Sequence, residues 1–484
     1  MPEEKAKDAP TVPQKEPKKL EEEKPVVTEH ETDGLHYTAT TGRLPIKDEE
    51  GEIVAQMFYV AYAKKDAGAD RPIMFSFNGG PGSPAIWLHL GALGPKRARM
   101  LPDGQMPPPP YKLEDNPAHW LEFADLVFID PVGTGFSRAK TQEEAKKYWG
   151  VKGDIESVGE FIRLYLTRSQ RWLSPVYLAG ESYGTTRAAG LAGHLIDRGI
   201  AFAGVVLVSS ILNFQTARFN KGNDLPFVLF LPTYAATAWY HGCLVGDLKD
   251  DLGRVVDDMR KFAVGRYATA LAQGDNLDAA DRAHVLDTLA RYTGLSHKFL
   301  DQCDLRINIH DFCKEILRTD RRTVGRLDSR VKGIEDYARG HTQRPDHDPS
   351  MSMLTPPYLS AFMDYVRRDL GYETDLPYEI FSGIKNPWDW GSAGDGHPDT
   401  SEALRAALSK NPYMKVFVAN GYYDLATPFF ATEYTLSHMG LDPELRGQFH
   451  LRYYEAGHMM YVKDECLTQL RADVKEFVQS GPKG

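Results

Sequence analysis

Gly180-Glu181-Ser182-Tyr183-Gly184 has the spacing G-x-S-x-G. Small residues two before and two after such a serine permit a sharp strand-to-helix turn that exposes its hydroxyl as a nucleophile. That chemistry requires a base within hydrogen-bond reach and a carboxylate that fixes the base's tautomer. The chain order nucleophile, acid, histidine directs the search toward the C-terminal end. There KVFVANG runs into Tyr422-Tyr423-Asp424, and FHLRYYEAGH ends in Gly457-His458. Ser182, Asp424 and His458 are therefore candidates for a catalytic triad of acyl transfer. Singly, Asp424 also reads as a turn residue and His458 as a helix cap.

Asn78-Gly79-Gly80-Pro81-Gly82 follows the apolar run PIMFSF, and backbone N–H groups on such a loop are suited to a developing oxyanion. Gly80, Gly82 and Ala85 also match G-x-G-x-x-A, a dinucleotide fingerprint. Pro81 and Pro84 argue against it, since each removes an N–H that a pyrophosphate cradle uses, and no acidic residue closes a second strand about 20 residues on. A tight turn with no chemical role is a third reading. Cys303, His310 and Cys313 offer three metal ligands but lack paired C-x-x-C spacing, so no metal is expected. A local disulfide or free thiols accounts for the four scattered cysteines.

The elements that must position these residues are legible as short, nearly continuous apolar runs: PIMFSF, LVFID, VYLAG, GVVLVSS, MKVFVANG and FHLRYYEAGH. Such runs suit strands buried on both faces of a mainly parallel sheet, and helical stretches such as DIESVGEFIRLYLTRSQRWL lie between them. Asp424 and His458 then fall where loops leave the carboxyl ends of strands, the edge at which sheets of this kind build sites. HYTATTGRLPI and IVAQMFYVAYAK, separated by KDEEGE, predict an opening hairpin. The expected class is α/β, with a mainly parallel central sheet flanked by helices. The strand signal lapses after Leu212, so residues 213–395 are read as a mainly helical cap insertion, with 34–212 and 396–484 forming one core. Residues 1–33, rich in Lys, Glu and Pro, are read as a disordered charged tether.

The composition excludes several classes. With 42% hydrophobic and 26% charged residues, the 484-residue chain can bury sizeable cores. Lys and Arg number 57 against 67 Asp and Glu, a formal charge of -10, so nucleic acid is not an expected partner. No run approaches the 18 to 20 or so apolar residues of a membrane span. The first residues lack an apolar h-region, which leaves localisation open: periplasmic or secreted if a signal was trimmed, otherwise cytoplasmic. Oligomeric state is not legible.

Taken together these residues resemble the serine carboxypeptidase family, peptidases of the α/β-hydrolase fold that remove single residues from peptide C-termini. Five blocks carry the resemblance: FNGGPGSPAIWLHLGALGP, NPAHWLEFADLVFIDPVGTGFS, VYLAGESYG, VANGYYDLATP and EAGHMM. It implies peptide substrates, no cofactor, and an acyl-enzyme on Ser182 with His458 as general base and acid and Asp424 orienting it. It further implies an oxyanion hole of the Gly80 and Tyr183 N–H groups, and Asn78, the Gly79 amide and Glu181 holding the substrate's terminal carboxylate. An esterase or acyltransferase on the same triad, or an inactive module that binds peptide C-termini, is the alternative. A carboxylate facing a carboxylate is repulsive unless one is protonated, so Glu181 should carry a raised pKa or bind best at acidic pH. Many relatives have Glu where this chain has Ala92, which weakens the expected upward push. Ser83 stands where a disulfide cysteine is familiar, a departure that fits a bacterial-type branch.

Overall fold

The computed structural model describes residues 20–335, 345–385, 387–391 and 397–480. Its central sheet is built from β1 (Val26–Thr32), β2 (Leu35–Lys47), β3 (Ile53–Lys64), β4 (Ile73–Phe77), β5 (Asp125–Ile129), β6 (Val176–Glu181), β7 (Gly204–Val208), β8 (Lys415–Gly421) and β9 (Phe449–Tyr454). The order is β1-β2-β3-β5-β4-β6-β7-β8-β9, and the two-residue strand Arg138–Ala139 pairs with β3. β1, β2, β3 and β5 pair antiparallel, whereas β5-β4-β6-β7-β8-β9 run parallel. Every apolar run singled out in the sequence is a strand of this sheet.

The apolar runs are continuous because helices cover both faces, and period-2 alternation deals their side chains to opposite sides. Phe75, Leu178, Val205, Leu207, Val416 and Val418 point into one core with α1 (Val151–Arg168), α2 (Tyr183–Ile196) and α7 (Ser401–Lys410). Their neighbours Met74, Ala179, Val206, Val208, Phe417 and Ala419 point into the other, against α6 (Pro349–Arg368) and α8 (Asp464–Gln479). A third cluster gathers α3 (Leu225–Tyr240), α4 (Leu252–Phe262) and α5 (Ala279–Thr293). The strand register matters for the site. Phe77 lies opposite Gly180, Glu181 opposite Val208, Val208 opposite Ala419, and Gly421 opposite Tyr454, so the carboxyl ends of five strands finish level.

Two expectations need correction. Residues 1–19 of the tether lie outside the described residues, but Val26–Thr32 is a strand, paired from Val26 opposite Thr41 to Thr32 opposite Leu35. VVTEHET carries β-branched residues, and an edge strand tolerates the exposed Glu29 and Glu31 that made the segment look like linker. The insertion between β7 and β8 is also less separate than its boundaries suggest. α6 belongs to the sheet's own core, where Met353, Tyr358, Phe362 and Tyr365 pack with Trp87, Phe128 and Met460. Among the described residues no helix is long and apolar enough to cross a membrane.

Candidate active site

Ser182 stands between the end of β6 and the first residue of α2, with φ 60° and ψ -130°. A non-glycine residue with this backbone is strained and persists only where its surroundings fix it. Here Ser182 N donates to Val208 O at 3.0 Å, and the flanking glycines let the turn close. A Cβ on Gly180 would sit 2.2 Å from Gly184 O, and one on Gly184 would sit 2.8 Å from Phe77 O. The G-x-S-x-G spacing is thus a record of backbone crowding around the serine.

His458 Nδ1 donates to Asp424 Oδ2 at 2.8 Å, both side chains being buried. Asp424 is held in turn: Oδ1 accepts from Ala426 N and Thr427 N, and Oδ2 from Thr427 Oγ1 at 2.8 Å. With Nδ1 committed, Nε2 is the nitrogen available to exchange a proton in the cavity that His458 and Ser182 both line. Burial disfavours the imidazolium, but the charge and hydrogen bond of Asp424 outweigh it, with Glu181 adding to them, and the His458 pKa is raised.

That cavity, about 90 Å³, also holds Asn78, Gly79, Gly80, Trp87 and Glu181. Asn78 Nδ2 donates to Glu181 Oε1 at 2.9 Å, while Asn78 Oδ1 accepts from Leu88 N, so the amide's orientation is set from both ends. Glu181 Oε2 accepts from Tyr461 at 2.5 Å. Burial pushes the Glu181 carboxyl up to about 7, against the opposing pull of His458, Tyr461 and Asn78. Ala92 supplies no second carboxylate, and the raising comes chiefly from burial, with the charge of Asp424 adding to it. Ser83 has a different partner from the familiar cysteine, since its Oγ accepts from Trp87 Nε1 at 2.8 Å.

Gly79 and Gly80 lie against the elbow. A Cβ on Gly79 would stand 2.4 Å from Tyr183 N and 2.8 Å from Glu181 O, and Gly80 has φ 101°. Gly80, Ser182 and Tyr183 together line a second cavity of about 240 Å³, which shares Gly80, Ser182 and Arg326 with the first and is otherwise lined by different residues. The eight residues singled out from the sequence therefore converge, seven on these two cavities and Asp424 behind His458.

Several supports carry no motif and were missed. Arg187 on α2 pairs with Asp154 on α1 at 2.7 Å and donates through Nη1 to Asn78 O at 2.7 Å, tying the glycine loop to the nucleophile's helix. Tyr183 OH donates to the same Asp154 carboxylate. From the insertion, Leu327 O accepts from His458 N at 2.6 Å, Arg326 O accepts from Leu425 N, and Ser329 N donates to Tyr423 O. The segment Arg326–Ser329 thus straps the loops of both Asp424 and His458. All four cysteines are free, and among the described residues no three His, Cys, Asp or Glu side chains are grouped to hold a metal.

A mainly parallel sheet with a strained serine elbow and an Asp–His pair at its carboxyl edge defines an α/β-hydrolase. The profile of the family described as serine carboxypeptidase matches residues 31–471, and the chain belongs to that family. Serine carboxypeptidase-like 5 of Arabidopsis thaliana is 30% identical over 152 residues, 31% of this chain and 33% of that protein. Serine carboxypeptidase-like 8 of the same plant is 24% identical over 279 residues, 57% of this chain and 55% of the relative. These alignments span between a third and about half of the relatives' length. Kex1(delta)p, a prohormone-processing carboxypeptidase from Saccharomyces cerevisiae, superposes with a TM-score of 0.52 at 16% identity, covering 91% of each chain. That likeness bears on the fold.

Proposed function

We propose that this protein is a serine carboxypeptidase that releases the C-terminal residue of peptides through an acyl-enzyme on Ser182. The observation that carries this reading is the Asn78–Glu181 pair, hydrogen bonded and buried in the cavity that also contains Ser182 and His458. A neutral Glu181 offers one O–H donor and no repulsion, so with the Asn78 and Gly79 N–H groups it suits a terminal carboxylate.

With the carboxylate held there, the last peptide carbonyl lies at Ser182. His458 Nε2 takes the Oγ proton as Oγ bonds to the carbonyl carbon, and the oxyanion accepts from the N–H groups of Gly80 and Tyr183. The C–N bond then breaks as His458 returns the proton to the leaving amine. Water, deprotonated by the same imidazole, bonds to the ester carbonyl carbon, and His458 returns that proton to Ser182 Oγ as the ester C–O bond breaks and the shortened peptide leaves. These steps draw on side chains and backbone alone.

The test is release of free amino acid from N-blocked dipeptides and from their C-terminal amides, with Ser182→Ala as control. Cleavage of the acids, sparing of the amides and a dead Ser182→Ala protein are expected. Equal cleavage of acids and amides would overturn the carboxylate-binding role of Glu181 and Asn78.

A further inference from the structure

The larger cavity at Ser182 contains two cations that the mechanism above does not use, the exposed Arg326 at the edge it shares with the other cavity and Arg218, which belongs to it alone. It shares Gly80, Ser182 and Arg326 with the carboxylate-binding cavity and is otherwise lined by different residues, among them Ile211, Phe214, Ala217, Arg218, Trp390 and Thr427. Arg218 is half-buried there, with Cζ 4.7 Å from the Trp390 ring centroid and 5.5 Å from that of Phe214. Two aromatic faces hold the flat guanidinium in place. Among the described residues no carboxylate forms an ion pair with it, and its guanidinium donates no hydrogen bond. Burial alone acts on its ionisation, lowering the pKa. Most partly buried arginines of this acidic chain are paired, as Arg187 is with Asp154, Arg260 with Glu433 and Arg330 with Asp328.

A half-buried cation with its donors unused by protein groups gains once a carboxylate arrives, because planar bidentate pairing is what guanidinium geometry suits. The position says which part of a substrate would bring it. If the leaving residue's carboxylate lies with Asn78 and Glu181, the residue that becomes the acyl group lies across Ser182, in the cavity of Arg218. We propose that this cavity is an acyl-side specificity pocket for an acidic side chain, so that peptides with Glu or Asp at the penultimate position are the preferred substrates. The inference rests on the carboxypeptidase reading for the direction in which the peptide lies.

The two are separable with p-nitrophenyl esters of N-blocked Glu, Gln and Lys, which acylate Ser182 without presenting a terminal carboxylate. At pH 7, kcat/KM for the Glu ester should exceed that for the isosteric Gln ester about tenfold, with Lys poorer still. Arg218→Gln should remove the Glu over Gln ratio and Arg218→Glu should reverse the order in favour of Lys. Each ratio is taken within one preparation, so loss of folded protein cancels. The preference should also fade below about pH 4, as the substrate carboxyl protonates. Equal rates for Glu and Gln esters in the unaltered enzyme, or a Glu preference that survives Arg218→Gln, would overturn the proposal. Dipeptide acids against amides, run alongside, report the carboxylate clamp separately.

Discussion

Tyr461 donates to Glu181 Oε2, and a hydrogen bond to the carboxylate favours its charged form. Removing the hydroxyl should therefore keep Glu181 protonated to higher pH. In the proposed mechanism the two ionisations act in opposite senses: His458 must be neutral to take a proton, a fraction that grows with pH, whereas Glu181 must be protonated to meet a carboxylate, a fraction that shrinks. Dipeptide acids should accordingly lose kcat/KM as pH rises through about 7, the value to which Glu181 is raised, while ester substrates stay level on that side. Tyr461→Phe should move the alkaline limb for the acids upward by about half to one pH unit and leave the ester profile in place. Glu181→Gln should abolish that limb. Matching alkaline limbs for acids and esters would show that Glu181 does not face the substrate carboxylate. The places of Ser182, Asp424 and His458 just past strand ends could be read from the sequence because each is marked by its immediate neighbours. Tyr461 could not, since it lies in MMYV with nothing local to mark it and meets Glu181 from across 280 positions of chain.

The glycine loop, β6 and α2 work as one element, and their closeness leaves no room for side chains. A methyl on Gly79 would press on Tyr183 N, one of the two proposed oxyanion donors. A misplacement of about 1 Å costs about a hundredfold in rate, so Gly79→Ala should lower the acylation rate with an organophosphonate at least that far. Cooperative unfolding should persist. Asp154 acts from α1 on the same assembly. Asp154→Asn leaves the buried Arg187 guanidinium without its counter-charge, and loss of one partner of a buried pair costs about 3–5 kcal/mol, to be read from the denaturant midpoint. At this scale the sequence was legible wherever a strand is buried on both faces, as in VYLAG and MKVFVANG. β1 escaped because its exposed charges were averaged into the polar stretch before it, and α6 because a helix facing a sheet and a helix facing other helices share one periodicity.

Across the whole molecule the three apolar clusters are not equally bound to the chemistry. The helical cluster of the insertion also contains Tyr423, Leu425 and Phe429, the residues on either side of Asp424. The strap Arg326–Ser329 reaches from the insertion to the backbones of Tyr423, Leu425 and His458. Loosening the insertion should withdraw Asp424 and His458 from Ser182 while the sheet is intact. On slow heating, phosphonate labelling should therefore fall at a lower temperature than the far-ultraviolet dichroism signal of the sheet and its helices, and coincident transitions would place all three clusters in one cooperative unit. This arrangement was beyond sequence reading, because the lapse of strand signal after Leu212 marks where an insertion starts but not which loops it later holds.

The strap also bears on descent and on engineering. A cap that merely hung from a loop could be exchanged between relatives to trade one substrate range for another, with the hydrolytic core serving as an unchanging chassis. Here the exchanged piece would have to bring its own counterparts of Leu327 and Ser329, matched to the recipient's loops. Chimeras should therefore succeed only when Tyr422–Ala431 and the His458 loop travel with the insertion, so that pockets and proton relay are inherited as a single module.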